Sequence, residues 1–187
     1  LGANASEPMF RDQPLDEIRI LYFATHGLLP GELSCQSEPA LALSPPEAPV
    51  ENRWEDGLLD ASEIAGLRLN ADLVVLSACN TGQSGEKFGG ESLSGLAESF
   101  FYAGARTLLA SHWQVPSTAT VSLMVGLFKR LGPDLSGGIA SSLRQSQLAL
   151  IDQDSTAHPF FWAAFTVIGD GQQTGVAAPK LSAREGQ

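Results

Sequence analysis

The stretch LVVLSACNTG, residues 73 to 82, carries the strongest structural signal in the chain. Its first half, Leu73 to Ala78, is apolar apart from Ser77, as suits a strand covered on both faces. Its second half breaks into Cys79, Asn80, Thr81 and Gly82, polar and flexible residues that end a strand. Upstream, IRILYFATHG, residues 18 to 27, has the same design: β-branched and aromatic residues up to Ala24, then Thr25, His26 and Gly27. RTLLASHW reads as a third strand and PFFWAAFTVIG, residues 159 to 169, as another buried one.

Helical patterns lie between and around these strands. ASEPMFRDQPL, residues 5 to 15, has Ser6 as N-cap, Glu7 and Pro8 in the first turn and Pro14 as a stop. DASEIAGLRL, residues 60 to 69, offers an Asp or Ser cap followed by Glu63. ESLSGLAESFFYAG sets Leu93, Leu96, Ala97, Phe100 and Phe101 at helical spacing, with Gly104 as C-cap. PSTATVSLMVGLFKRLG starts with proline in a first helical turn, and SGGIASSLRQSQLALI follows, capped by Ser136. Leu28 to Trp54 contains Pro30, Pro39, Pro45, Pro46 and Pro49, so it is expected to be loop, with a short extended piece at ALALS. GQSGEKFGG, residues 82 to 90, is expected to lack regular structure. Strands alternating with helices predict an α/β fold: a mainly parallel sheet with helices on both faces.

With 187 residues, the chain suits one sizeable core: residues 1–170 read as a single domain and 171–187 as a flexible tail or linker. The opening LGANASEP, beginning at Leu1 rather than Met, reads as a cut from a longer polypeptide. No apolar run approaches the roughly 20 residues that span a bilayer, so the chain reads as soluble. A net charge of −10 disfavours nucleic acid and anionic membranes as main partners and leans towards basic segments. Two cysteines, Cys35 and Cys79, make no disulfide framework, and a reducing cytoplasm is the expected location.

In a parallel sheet, sites collect beyond the carboxyl ends of the strands. If the two first strands are parallel neighbours, His26 and Cys79 emerge on one edge, where a thiolate can attack a carbonyl and an imidazole can protonate the leaving group. Gly27 and the glycines after Cys79 add backbone N–H groups, the ingredients of an oxyanion hole. A cysteine at a strand end equally suits a small buried hydrophobe, and a lone histidine a hydrogen-bonded structural residue. His26, His112 and His158 lack metal-ligand spacing with each other or with the cysteines, so neither metal nor cofactor is expected. Glu86 and Lys87 are expected to face solvent, and Cys35 to be incidental.

The series YFATHG, EPALALS, DGLLDASEIAGLRLNADLVVLSACNTG, GGESLSGLAESFFYAGARTLLASHWQV and HPFFWAAFTVIGDG closely resembles the CHAT domain. This caspase-like module is commonly found with tetratricopeptide repeats in bacteria. The resemblance covers about residues 1 to 170, in the family's order. It implies a caspase-like fold of which this chain is the C-terminal part, and an upstream tetratricopeptide-repeat region. It also implies a cysteine endopeptidase acting on a protein or peptide, with His26 as catalytic histidine, Cys79 as nucleophile and Gly27 beside the oxyanion. Related peptidases build their substrate clefts partly from the loops around Asp56 and Asp60, and partly from residues matching Ser111, His112 and Trp113. Asp60 is also read more simply as a helix N-cap, and Trp113 equally as core. The alternative from another class is a catalytically silent CHAT-like module serving as a binding or signalling platform. A small-molecule Cys-His hydrolase or transferase fits the long surface loops less well.

Overall fold

A computed structural model of the chain describes residues 2, 5–34, 36–46, 55–77 and 89–171, with side chains from residue 95 in the last stretch. In chain order the elements are helix α1 (Glu7–Arg11), strands β1 (Ile20–Phe23), β2 (Gly27–Leu28), β3 (Ala40–Ala42) and β4 (Leu58–Asp60), and helix α2 (Ala61–Ala65). Strand β5 (Leu73–Leu76), helix α3 (Gly89–Ala103), strand β6 (Thr107–Ser111) and helices α4 (Ser117–Leu131) and α5 (Ile139–Ile151) follow. A 3-10 turn (Pro159–Phe161) and strand β7 (Phe165–Gly169) complete the described fold.

Strands β1, β5, β6 and β7 form one sheet in that order. The β1–β5 and β5–β6 pairs are parallel and β7 closes the edge antiparallel to β6, giving the mainly parallel α/β architecture read from the sequence. Each apolar run feeds two cores, because successive strand residues point to opposite faces. Val74, Leu76, Leu108 and Ala110 pack towards α2 and α3, with Phe100 fully buried. Leu73, Val75 and Leu109 pack towards α4 and α5, around Leu123, Leu127 and Ile139. At the amino end of the sheet, Asp72 takes ion pairs from Arg19 and Arg106, which fastens the starts of β1, β5 and β6 together. Gly104 ends α3 with φ +112°, and a Cβ there would sit 2.3 Å from the Leu69 carbonyl oxygen, so no other residue fits that turn.

Several expectations need correction. Tyr22 is 41% exposed, so β1 is covered on one face and only half covered on the other, where the ring meets Phe128. Strand β4 and the antiparallel sheet β2–β3–β4 lie in a region read as loop and helix start. They are strands of two or three residues, too short to show periodicity, and only β3 matches the expected extended piece. Residues 159–164 are a turn rather than strand: Pro159 starts a 3-10 turn in which the His158 ring accepts from the Phe160 amide. Ser136 does not cap α5, whose N-cap position is Gly138; the Ser136 amide instead donates to Asp134. Gly89 and Gly90, expected in irregular structure, open α3. Gly171 is buried, its amide donating to Thr107 Oγ1 and its carbonyl accepting from Ala140; the rest of the expected tail, 172–187, lies outside the described residues.

Candidate active site

The carboxyl ends of three adjacent strands form the floor of the site. Phe23 of β1 lies opposite Leu76 of β5, which lies opposite Ala110 of β6. Pairing runs one step further, since the Ser77 amide donates to the Phe23 carbonyl at 2.9 Å. Neighbouring strands stand about 4.8 Å apart, so the three chain exits fall within about 10 Å of one another.

From Phe23 the chain passes through Ala24 and Thr25 to His26 and then enters β2. This short connection is clamped by β3: the Thr25 hydroxyl donates to the Ala42 carbonyl, and the Ala42 amide donates to the His26 carbonyl at 2.8 Å. The His26 backbone is therefore fixed while its side chain stays exposed. The ring borders a largely apolar groove of about 690 Å³ shared with Met9, Phe10, Tyr22, Phe23 and Ala42. Gly27 is half-buried and pairs with Leu41. Antiparallel ladders alternate hydrogen-bonded and non-hydrogen-bonded pairs. Since Ala42 bonds to His26, the Gly27/Leu41 pair is of the second kind, and the Gly27 N–H points away from β3.

Ser111, His112 and Trp113 leave β6 at the same edge but differ in what they can do. Ser111 is buried and donates from Oγ to the Leu76 carbonyl at 3.4 Å, bracing the end of β5. His112 is exposed, with Nε2 3.2 Å from Thr166 Oγ1. Trp113 is half-buried, packs on the α4/α5 core and donates from Nε1 to the Phe160 carbonyl at 3.0 Å. Asp60 closes a capping box on α2: its Oδ1 accepts from the Glu63 amide at 2.8 Å while Glu63 Oε2 accepts from the Asp60 amide at 3.0 Å. Beyond that cap, Asp60 and Asp56 line a polar cleft of about 390 Å³ together with Glu38. Cys79, Glu86, Lys87 and Cys35 lie outside the described residues.

Among known sequence families, the model of the CHAT domain matches residues 1–170. The chain belongs to the CHAT domain family. Similar proteins are tetratricopeptide repeat protein 28 of Mus musculus, 33% identical over 113 residues, and its namesake in Homo sapiens, 31% identical over 114. Each alignment covers 60% of this chain and 4% of the relative, so the chain spans only a small fraction of those proteins.

A cluster that the sequence did not reveal adjoins the groove. Glu7 and Arg11 of α1 meet Glu63 of α2, and both glutamate side chains are completely buried. The only local hint is the four-residue spacing of Glu7 and Arg11. Its long-range partner, Glu63, is already accounted for by the capping box, so nothing in the pattern marks it for a second role.

Proposed function

We propose that this CHAT domain is a caspase-like cysteine endopeptidase that cleaves a protein substrate through Cys79 and His26. The observation that carries this is the in-register parallel pairing of β1 and β5: His26 follows Phe23 by three residues, Cys79 follows Leu76 by three, and Phe23 and Leu76 stand opposite. Cys79 is two positions beyond Ser77, and a chain advances at most about 3.6 Å per residue, which supports a place for the thiol near the cleft beside His26.

The Cys79 thiolate attacks the scissile carbonyl, and the tetrahedral oxyanion accepts hydrogen bonds from the backbone N–H groups of Gly27 and Cys79. The outward direction of the Gly27 N–H supports its part in this. As the C–N bond breaks, the His26 imidazolium gives its proton to the departing amine, leaving a thioester on Cys79. Neutral His26 then takes a proton from water, whose hydroxide attacks the thioester, releases the acid and regenerates the Cys79 thiolate beside the His26 imidazolium. His112 and Trp113 form the β6 rim of the cleft, while Ser111 and Asp60 support it through the bonds described above. In the full-length protein a tetratricopeptide-repeat region brings the substrate, in keeping with the names of the mouse and human relatives. A thiol nucleophile suits a reducing, cytoplasmic setting.

The test assays the full-length protein against a peptide library, beside Cys79→Ala and His26→Ala forms. Each substitution is expected to reduce cleavage at least about 1,000-fold. Cleavage that survives either one rejects the dyad, and a wild-type protein that cleaves nothing while retaining partners in pull-downs supports the binding-platform alternative.

A further inference from the structure

We propose that Glu7 and Glu63 share one proton, and that this shared proton is a latch holding α1 against the corner formed by β4 and α2. Each carboxyl already spends one oxygen on a backbone amide. Glu7 Oε2 accepts from Gly57 at 2.7 Å, and Glu63 Oε2 accepts from Asp60 at 3.0 Å. The remaining oxygens, Glu7 Oε1 and Glu63 Oε1, are buried without a hydrogen-bond partner, although the two carboxyls lie within hydrogen-bond reach of each other. One proton between them gives both atoms a partner.

Charge counting leads to the same place. Arg11 Nη2 lies 3.4 Å from Glu63 Oε1 and 4.0 Å from Glu7 Oε1. Two carboxylates and one guanidinium leave a buried net charge of −1, which is costly, whereas one added proton makes the cluster neutral. Among the described residues, the other charges acting on it are Asp56, in the turn before β4, and Asp60 at the α2 cap, both negative. Glu98 of α3, the helix packed on α2, is exposed. The Gly57 amide is presented from a tight turn that only glycine fits, with φ +90° and a Cβ there falling 2.9 Å from Pro45 Cα. Burial raises Glu63 to about 7, opposed by the Asp60 amide and reinforced by the charges of Glu7 and Asp60; burial also raises Glu7.

Undocking α1 returns the carboxyls to ordinary acids near 4.5. Between that value and about 7 the docked form therefore holds more protons, so docking weakens as pH rises through this window and levels off above it. Because Met9 and Phe10 of α1 wall the groove beside His26, the latch sets whether that wall is in place. It stands on the fold alone and does not depend on the peptidase reading.

Hydrogen exchange of the full chain, corrected for intrinsic rates, tests it. The amides of Phe10 and Asp12, which donate to the Ser6 and Pro8 carbonyls, should lose protection by up to about tenfold per pH unit from pH 5 to 7, then plateau. In Glu63→Gln the carboxamide N–H replaces the shared proton, and the protection should become flat across that range. Flat protection in the wild type, or an unchanged slope in Glu63→Gln, overturns the latch. Should Glu63→Gln fail to fold, carboxyl carbon NMR of the wild type decides. A glutamate midpoint near 7 that disappears in Glu7→Gln supports the latch, and midpoints all below 5 reject it. Peptide-cleavage assays play no part in any of these outcomes, so the peptidase reading can fail separately.

Discussion

Phe23 and Leu76 face one another across the parallel ladder, and the amide after Leu76 donates to the Phe23 carbonyl, so β1 and β5 leave the sheet at one level. The hydroxyl of Ser111 reaches the Leu76 carbonyl from the β6 side at 3.4 Å, entirely out of water. Ser111→Ala removes that bond and leaves the carbonyl to find another donor. A single neutral hydrogen bond is worth about 1 kcal/mol net, and its length here favours the lower end. Urea titration should show a loss of about 0.5–1 kcal/mol with an unchanged slope. No loss would mean that Ser111 does not brace the strand end.

Asp60 lends itself to a sharper separation of roles. Its carboxylate caps α2 and also receives the Ser62 hydroxyl at 2.9 Å. Asp60→Ala should cost about 1 kcal/mol of stability, and Asp60→Ser should recover most of it, because a serine oxygen can still accept from the Glu63 amide. Thermal unfolding of the two variants checks this. Equal losses in both would show that the charge, rather than the cap, is what matters at this position.

The sequence made the strands β1, β5 and β6 visible because each is an apolar run ending at chemistry-bearing residues, and the α2 cap because Asp60 and Glu63 have capping-box spacing. It also made the pairing of β1 with β5 a reasonable expectation, and that parallel pairing is present. Other features depend on tertiary contact and have no local signature. The strands β2 and β4 are two and three residues long and are held by their neighbour β3 rather than by propensity. The segment from Pro159 has strand-like composition, yet its first residues turn because Trp113 and the aromatic side chains themselves need backbone partners there: Trp113 Nε1 takes the Phe160 carbonyl and Trp162 Nε1 the Ala157 carbonyl. The buried Glu7 and Glu63 were read as helix-start residues, which they are, but their burial arises only where α1 meets α2.

Two aromatic residues on α3 should respond in opposite ways to the same change. Phe100 is fully buried, its ring 5.6 Å from that of Phe23, whereas Tyr102 is 83% exposed. Phe100→Ala removes a large apolar side chain from the floor beneath β1 and should cost about 3–5 kcal/mol. Tyr102→Ala should stay within about 0.5 kcal/mol of the parent. Denaturation midpoints for the pair check the direction in which α3 faces, and comparable losses in both would show that it is rotated from its described orientation.

The pH dependence of global stability offers a readout of the buried carboxyls that is separate from exchange at α1. Glu63, raised from 4.5 to about 7 chiefly by burial, contributes stability that is complete below its unfolded value and is lost as pH rises through its folded one. Asp134 has the opposite sign. Hydrogen bonding from Ser136 lowers its pKa, so whatever it contributes is lost on acidification, and a raw stability profile mixes the two. Subtracting the profile of Glu63→Gln from that of the wild type removes Asp134, which both proteins share. The difference should move against the wild type by on the order of 2–3 kcal/mol between pH 4.5 and pH 7.5, with most of the change complete by pH 7. Urea unfolding at half-unit pH steps measures it. A difference that is flat, or that moves in favour of the wild type as pH rises, would mean that Glu63 enters the fold as an ordinary ionised carboxylate paired with Arg11.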